Sequence, residues 1–231
     1  ACGHPGPHQV RAGQPAGVRG MSETTAFDPR HTALVIIDLQ NDFLAPDGAY
    51  ARGGAVSAAA LALPSRVAAV AKALKAGGGM VVASQFTLWP DAQGEPMVSP
   101  HLKSLRPFLR RGDFAPGSVG QANVPEIEPH VDVSVCKVAY SAFFNTQLDW
   151  VLRRAGITTV AVCGIVTNGG VASTVRDAHM RDYRTLVLSD GCAAFRTEIH
   201  ETSLADMTTV AQVLKCADFS ALLAAPAAPS P

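Results

Sequence analysis

The sequence predicts a three-layer α/β/α domain with a central, mostly parallel sheet of Rossmann type. Three observations lead there. Short apolar runs rich in Val and Ile alternate with longer segments of helical pattern. Several of those helical segments stop at glycine. At 231 residues the chain is long enough for one α/β domain with a substantial core.

The elements follow in order. "TALVIIDLQNDF" opens with an apolar, β-branched run, read as a buried parallel strand over 33–38 that closes at Asp38. Residues 55–77 are rich in Ala, Leu and Val with interspersed Lys and Arg and end in "GGG", which predicts a helix with a glycine stop. "GMVVASQF" is a second strand ending near Gln85. Residues 88–132, rich in Pro and Gly, read as irregular apart from a short helix near 100–105. The alternation then resumes: "VSVCKV" as strand, "TQLDWVLRRAG" as a helix stopped by Gly156, "TTVAVCG" as strand, "VASTVRDAHMRDY" as helix, "RTLVLSD" as strand and "HETSLADMTTVAQVL" as helix.

Composition narrows the function. Nineteen basic residues balance nineteen acidic ones, so no net field favours nucleic acid or an anionic membrane, and no apolar run approaches a membrane span. The expected partner is a small-molecule substrate. Five scattered cysteines without metal-ligand spacing read as reduced, mostly buried thiols of a cytoplasmic protein. The one H-x-x-x-H spacing, His4 and His8, falls in the Gly/Pro-rich leader, so neither metal nor cofactor is expected. Residues 1–27 read as a disordered leader without the apolar region of a signal peptide, an extended start or appended segment; 28–222 read as the domain and 223–231 as a loose tail.

Ligands of parallel sheets bind outside the carboxyl ends of the strands. Asp38, Gln85, Lys137 and the turn at 165–170 all fall at such ends, so one site gathers them. Each has a plainer reading. Asp38 could cap the next turn beside Asn41 and Asp42. Lys137, among apolar neighbours, either snorkels to solvent or pairs with an acid; a pair with Asp38 would satisfy both. Ser141 reads as a helix N-cap, and Phe143 and Phe144 as core before substrate wall. "GIVTNGG" lacks the G-x-G-x-x-G spacing; its N–H groups suit a phosphate or an oxyanion, while the glycines alone would allow close packing. Cys163 lies inside an apolar strand and reads as an inert thiol. Arg106, Arg110 and Arg111 read as a solvated charge cluster, with contact to a substrate carboxylate as the alternative.

Taken together, "ALVIIDLQNDF", "KVAYSAFFNTQLDWVLRRAGITTVAVCGIVTN", "VASTVRDAHMRDY" and "VLSDGCAAF" resemble the isochorismatase-like hydrolase superfamily over about residues 31–216. The resemblance implies an acid/base aspartate at Asp38, a catalytic lysine at Lys137, and a cis peptide at Val166–Thr167 beside an oxyanion site. Where the amidase branch reads T-N-x-C-V, this chain reads Thr167, Asn168, Gly169, Gly170, Val171, so Gly170 stands at the place of the nucleophilic cysteine. The implied substrate-binding set is Gln85, Phe143, Val166, Thr167, Asn168 and Gly169. The zinc motif of nicotinamidases is missing from "SQFTLWPDAQGEP". Isochorismatases proper share the glycine and a glutamine matching Gln85, but have a tyrosine where this chain has Val166 and a histidine where it has Asn168. The resemblance thus implies a thiol-independent hydrolase acting through Asp38, with isochorismate-like vinyl ethers as leading substrates. Its alternatives are an amidohydrolase that has lost its nucleophile at Gly170, or a non-catalytic ligand-binding homologue. It also implies a homo-oligomer.

Overall fold

A computed structural model describes residues 27–224. The leader before Phe27 and the tail beyond Ala224 lie outside the described residues. The strands are β1 (Thr32–Ile37), β2 (Met80–Phe86), β3 (Val133–Lys137), β4 (Thr159–Ile165), β5 (Arg184–Ala193) and β6 (Gln212–Leu214). They form one sheet in the order β3-β2-β1-β4-β5-β6, every neighbouring pair parallel. The helices are α1 (Asn41–Leu44), α2 (Ala49–Arg52), α3 (Ala58–Leu61), α4 (Leu63–Ala76), α5 (Pro100–Leu105), α6 (Leu148–Arg154), α7 (Ala172–His179), α8 (Thr197–Met207) and α9 (Cys216–Ala224).

The chain begins in the middle of the sheet, builds outward through β2 and β3, returns to the other side of β1 and builds outward again. Right-handed crossovers running in opposite directions put their helices on opposite faces. So α4, between β1 and β2, and α7, between β4 and β5, cover the two faces, with α9 packed on α4 and α8 beside α7. Every residue of β1 and of β4 is buried, as central strands covered on both sides require.

Several expectations change, α7 ending four residues early at His179 and β5 running on to Ala193 among them. The helix expected over 55–77 breaks at Ala62 into α3 and α4; Pro64 sits in the first turn of α4, where its missing N–H costs nothing. The helix expected over 200–214 begins at Thr197 and stops at Met207, and the β-branched stretch after it leads into the edge strand β6, paired to β5. The helix expected from Thr146 begins at Leu148, after Thr146 has turned the chain by accepting from the Leu148 amide. The leader reading also took in Phe27, whose buried ring stacks on Phe219 at 5.3 Å, and α9 runs two residues past the expected domain end.

Where β1 and β4 end, their backbones press together. Gly164 pairs with Ile37 at φ +112°, and a Cβ there would lie 2.1 Å from the Ile37 carbonyl oxygen. Only glycine fits, and this contact sets the two strand ends side by side. Gly164→Ala should therefore cost about 3 kcal/mol or more in urea denaturation. By contrast Gly54→Ala, at φ +68° with open space around it, should cost only ~1 kcal/mol.

Candidate active site

The strand order reverses between β1 and β4, and the crevice at that switch point is where open parallel sheets take ligands. Asp38 follows β1 directly and holds a left-handed conformation, φ 55°. It is 5% exposed. Lys137, the last residue of β3, is 2% exposed and reaches past β2 to set its Nζ 2.7 Å from Asp38 Oδ2. The Ser84 hydroxyl donates to Asp38 Oδ1 at 2.8 Å, and Lys137 Nζ donates to the Ala139 carbonyl at 2.9 Å. The ammonium also stands 5.4 Å from the centre of the Phe86 ring. Burial pushes the Asp38 carboxyl above the usual aspartate value, against the opposing pull of Lys137 and of the Ser84 hydroxyl.

After β4 the chain passes a cis peptide at Ile165–Val166, one bond before the Val166–Thr167 that the resemblance implied. A single π-helical turn, Thr167–Val171, then leads into α7. The Gly169 and Val171 amides donate to the Val166 carbonyl at 2.9 and 3.3 Å. The Thr167 and Asn168 amides, at the head of the turn, have no partner within it. Thr174 in α7 donates to the Gly170 carbonyl and accepts from the Ala142 amide, tying the turn to the segment that leaves β3. Tyr140 of that segment lies against the turn, its ring 3.2 Å from where a Gly169 Cβ would be. Gly170 is buried, and a Cβ on it would meet Ile37 Cγ2 at 2.7 Å.

The structure thus brings Asp38, Lys137 and the 166–170 turn together at the same edge of the sheet, but not every candidate. Side chains alternate along a strand, so Gln85 projects to the opposite face from Ser84 and Phe86, with Cys136 as its neighbour in β3. Phe143 is buried, stacked on Tyr183 at 6.0 Å under the Arg181 guanidinium. Thr167 is buried and Asn168 exposed. Ser141 accepts from the Phe143 amide in a local turn well before α6, and the Asp42 carboxylate binds the Ala49 and Phe114 amides. Cys163 is fully buried and its thiol is held well above the usual range by that burial.

Sequence reasoning missed three neighbours. Ser84 was legible from the period-two alternation that sends Gln85 the other way. Tyr50 lines, with Phe43, Ile165, Val166 and Phe195, a small cavity of about 10 Å³, the space of a single water. Burial raises the Tyr50 hydroxyl above its ordinary value; Arg106 opposes this and the Asp38 charge adds to it. His200 Nδ1 lies 2.8 Å from Thr167 Oγ1 and lines an adjoining cavity of about 330 Å³ with Val56, Phe195 and Thr197. Burial lowers the His200 imidazole below its usual value. No local pattern announced Tyr50 or His200, because each enters from a distant helix.

A family model for the isochorismatase domain matches residues 32–218. The chain belongs to the isochorismatase family. It is 33% identical over 198 residues to the ureidoacrylate amidohydrolase RutB of Methylobacterium radiotolerans, covering 81% of this chain and 77% of that one. A second protein of that name, from Methylorubrum extorquens, is 35% identical over 178 residues, covering 73% and 72%. Among solved structures, a cysteine hydrolase from Pseudomonas syringae pv. phaseolicola superposes with a TM-score of 0.74 at 26% identity, covering 88% of this chain and 98% of that one. N-carbamoylsarcosine amidase from Thermoplasma acidophilum superposes at 0.63 with 26% identity, covering 80% and 96%. This isochorismatase-family chain is accordingly a hydrolase, and among its described residues no helix is long and apolar enough to cross a membrane.

The buried pair gives a pH prediction. Removing the cation in Lys137→Met takes away the main charge favouring the Asp38 carboxylate, so the carboxyl should titrate still higher, read by ¹³C NMR of the labelled side chain. The unfolded chain releases that proton near the ordinary value of 3.8 while the folded variant keeps it. Stability of Lys137→Met should therefore be fullest at low pH and fall as pH rises through the raised value. At neutral pH the loss should be about 3–5 kcal/mol, recovered in large part by the double change Asp38→Asn with Lys137→Met.

Proposed function

We propose that this hydrolase cleaves a small amide or ureide by directing water with Asp38, without a covalent thiol intermediate. The observation that carries the reading is the buried Asp38–Lys137 pair beside a turn whose residue 170 is glycine. Support for a C–N bond comes from the relatives named ureidoacrylate amidohydrolases. In this reading Asp38 takes a proton from water as the water oxygen adds to the carbonyl carbon. Lys137 keeps Asp38 ionised beforehand, and the Thr167 and Asn168 amides meet the oxyanion. Asp38 then returns the proton to the departing nitrogen as the C–N bond breaks. The free thiols fit a cytoplasmic setting, and the family resemblance suggests a homo-oligomer.

A second reading, hydrolysis of an isochorismate-like vinyl ether, is favoured by the same glycine. There a protonated Asp38 gives its proton to the enol carbon and water completes the cleavage, so no thiol is needed. The Ile37 methyl group, 2.7 Å from where a residue-170 Cβ would lie, leaves little room there for a larger side chain unless Ile37 shifts, which fits both readings.

The purified chain should be assayed on 3-ureidoacrylate, a panel of small amides, and isochorismate. Asp38→Asn should lower kcat/KM by about 10³-fold or more with an unchanged circular dichroism spectrum. Retention of most activity in that variant would sink both mechanisms. Turnover of isochorismate alone selects the second reading, and amide activity gained only in Gly170→Cys points to a lost nucleophile. Ligand binding with no turnover of any of these makes the chain a binding protein.

A further inference from the structure

Arg106 ends α5 and is partly buried. Its Nε donates to the Tyr50 hydroxyl at 3.2 Å, its Nη1 to the neighbouring Leu105 carbonyl, and its guanidinium lies 5.9 Å from the centre of the Tyr50 ring. Among the described residues no Asp or Glu pairs with it, whereas Arg52 and Arg111 nearby are matched to Asp113 and Glu95. Its Nη2 makes no hydrogen bond among the described residues. A guanidinium drawn partly out of water without a counter-charge is costly, and its planar fork matches a carboxylate. The Tyr50 side chain on which it rests lines the inner cavity beside Ile165 and Val166, where the turn begins.

We propose that Arg106 anchors a carboxylate on the substrate, so that the preferred molecules carry that group a few atoms from the carbonyl that is attacked. The position of the attacked carbonyl rests on the function proposed above; the anion site itself does not. Tyr50 aligns the fork by accepting from Nε, and the Nη2 edge receives the carboxylate oxygens. Arg111 takes no part, because Glu95 engages its guanidinium.

The test uses two probes without a bond to hydrolyse, so it reads binding whether or not the chain is an enzyme. They are 4-oxopentanoate, which has a ketone in place of the amide, and its neutral counterpart 5-hydroxypentan-2-one. Binding to the wild-type chain is followed by NMR titration. The acid should bind the tighter of the two, and Arg106→Gln should cut that preference about 10- to 100-fold while leaving the neutral probe unchanged. Arg106→Lys should keep part of it. Tyr50→Phe, which removes the aligning hydroxyl but keeps the ring, should lower it less than Arg106→Gln does. No binding of the acid, equal binding of the two probes, or equal weakening of both in Arg106→Gln overturns the proposal, the last marking Arg106 as a support for Tyr50 only. Loss of turnover with the acid preference intact would instead count against the hydrolytic mechanism alone.

Discussion

An ammonium and a carboxylate, both almost fully out of water, meet across a strand that belongs to neither of them. Such a pair is expensive to form, because each ion gives up its hydration, and its mutual attraction compensates only when the geometry is good and the remaining donors and acceptors are matched. Here the Ser84 hydroxyl and the Ala139 carbonyl do the matching. Much else follows from holding that pair. Asp38 must leave β1 in a left-handed conformation to turn its carboxylate toward β2 and β3. The segment after Lys137 must fold back over the crevice, where its Ala139 carbonyl takes the ammonium and its Tyr140 ring covers Gly169. Thr174 then ties that same segment to the turn.

The turn itself is shaped by close approach. Gly164 lets β1 and β4 touch, and the Gly169 and Val171 amides close on the Val166 carbonyl. That leaves the Thr167 and Asn168 amides without a partner inside the turn, with the Thr167 side chain held against His200. The Ile37 side chain ties the two parts of the crevice together: it precedes Asp38 and its methyl group fills the space beside Gly170. Being β-branched, it has little rotamer freedom to vacate that space.

The sequence made the sheet legible through strong local signals, whereas it left the ion pair as one of two readings of Lys137. A carboxylate closing a β-branched run and a lysine closing another are conspicuous, and the parallel alternation brings both ends to one edge of the sheet. Asp38 and Lys137 were readable for that reason, and so was the irregular stretch with its short helix at Pro100–Leu105. Where the reading departed from the structure, a weaker local signal was outweighed by tertiary context. "TTVAQVL" continues a helical pattern, yet an open edge on β5 draws Gln212–Leu214 into the sheet. Gln85 was chosen for its place near a strand end, but the side-chain face, decided by the two-residue period, favours Ser84. Tyr50 comes from a four-residue helix that no periodicity announced, and His200 from an expected helix whose docking against Thr167 is set by tertiary packing.

The basicity of Asp38 also links stability to the proposed chemistry. A thiol is acidic enough for an ordinary carboxylate to assist its deprotonation, whereas water is a far weaker acid and calls for a stronger base. Burial raises the Asp38 carboxyl and so strengthens it as a base, but the same shift reduces the fraction that is ionised and ready to act. Lys137 pulls in the other direction, restoring the ionised form. On the proposed reading these two opposing influences belong together: a site with glycine in place of the thiol needs more basicity than burial of a freely solvated aspartate would ordinarily leave usable, and the lysine keeps it usable. The balance also explains why the pair is buried so completely. Opening the ions to bulk solvent would return Asp38 toward its ordinary value and weaken it as a base toward the single water it must activate.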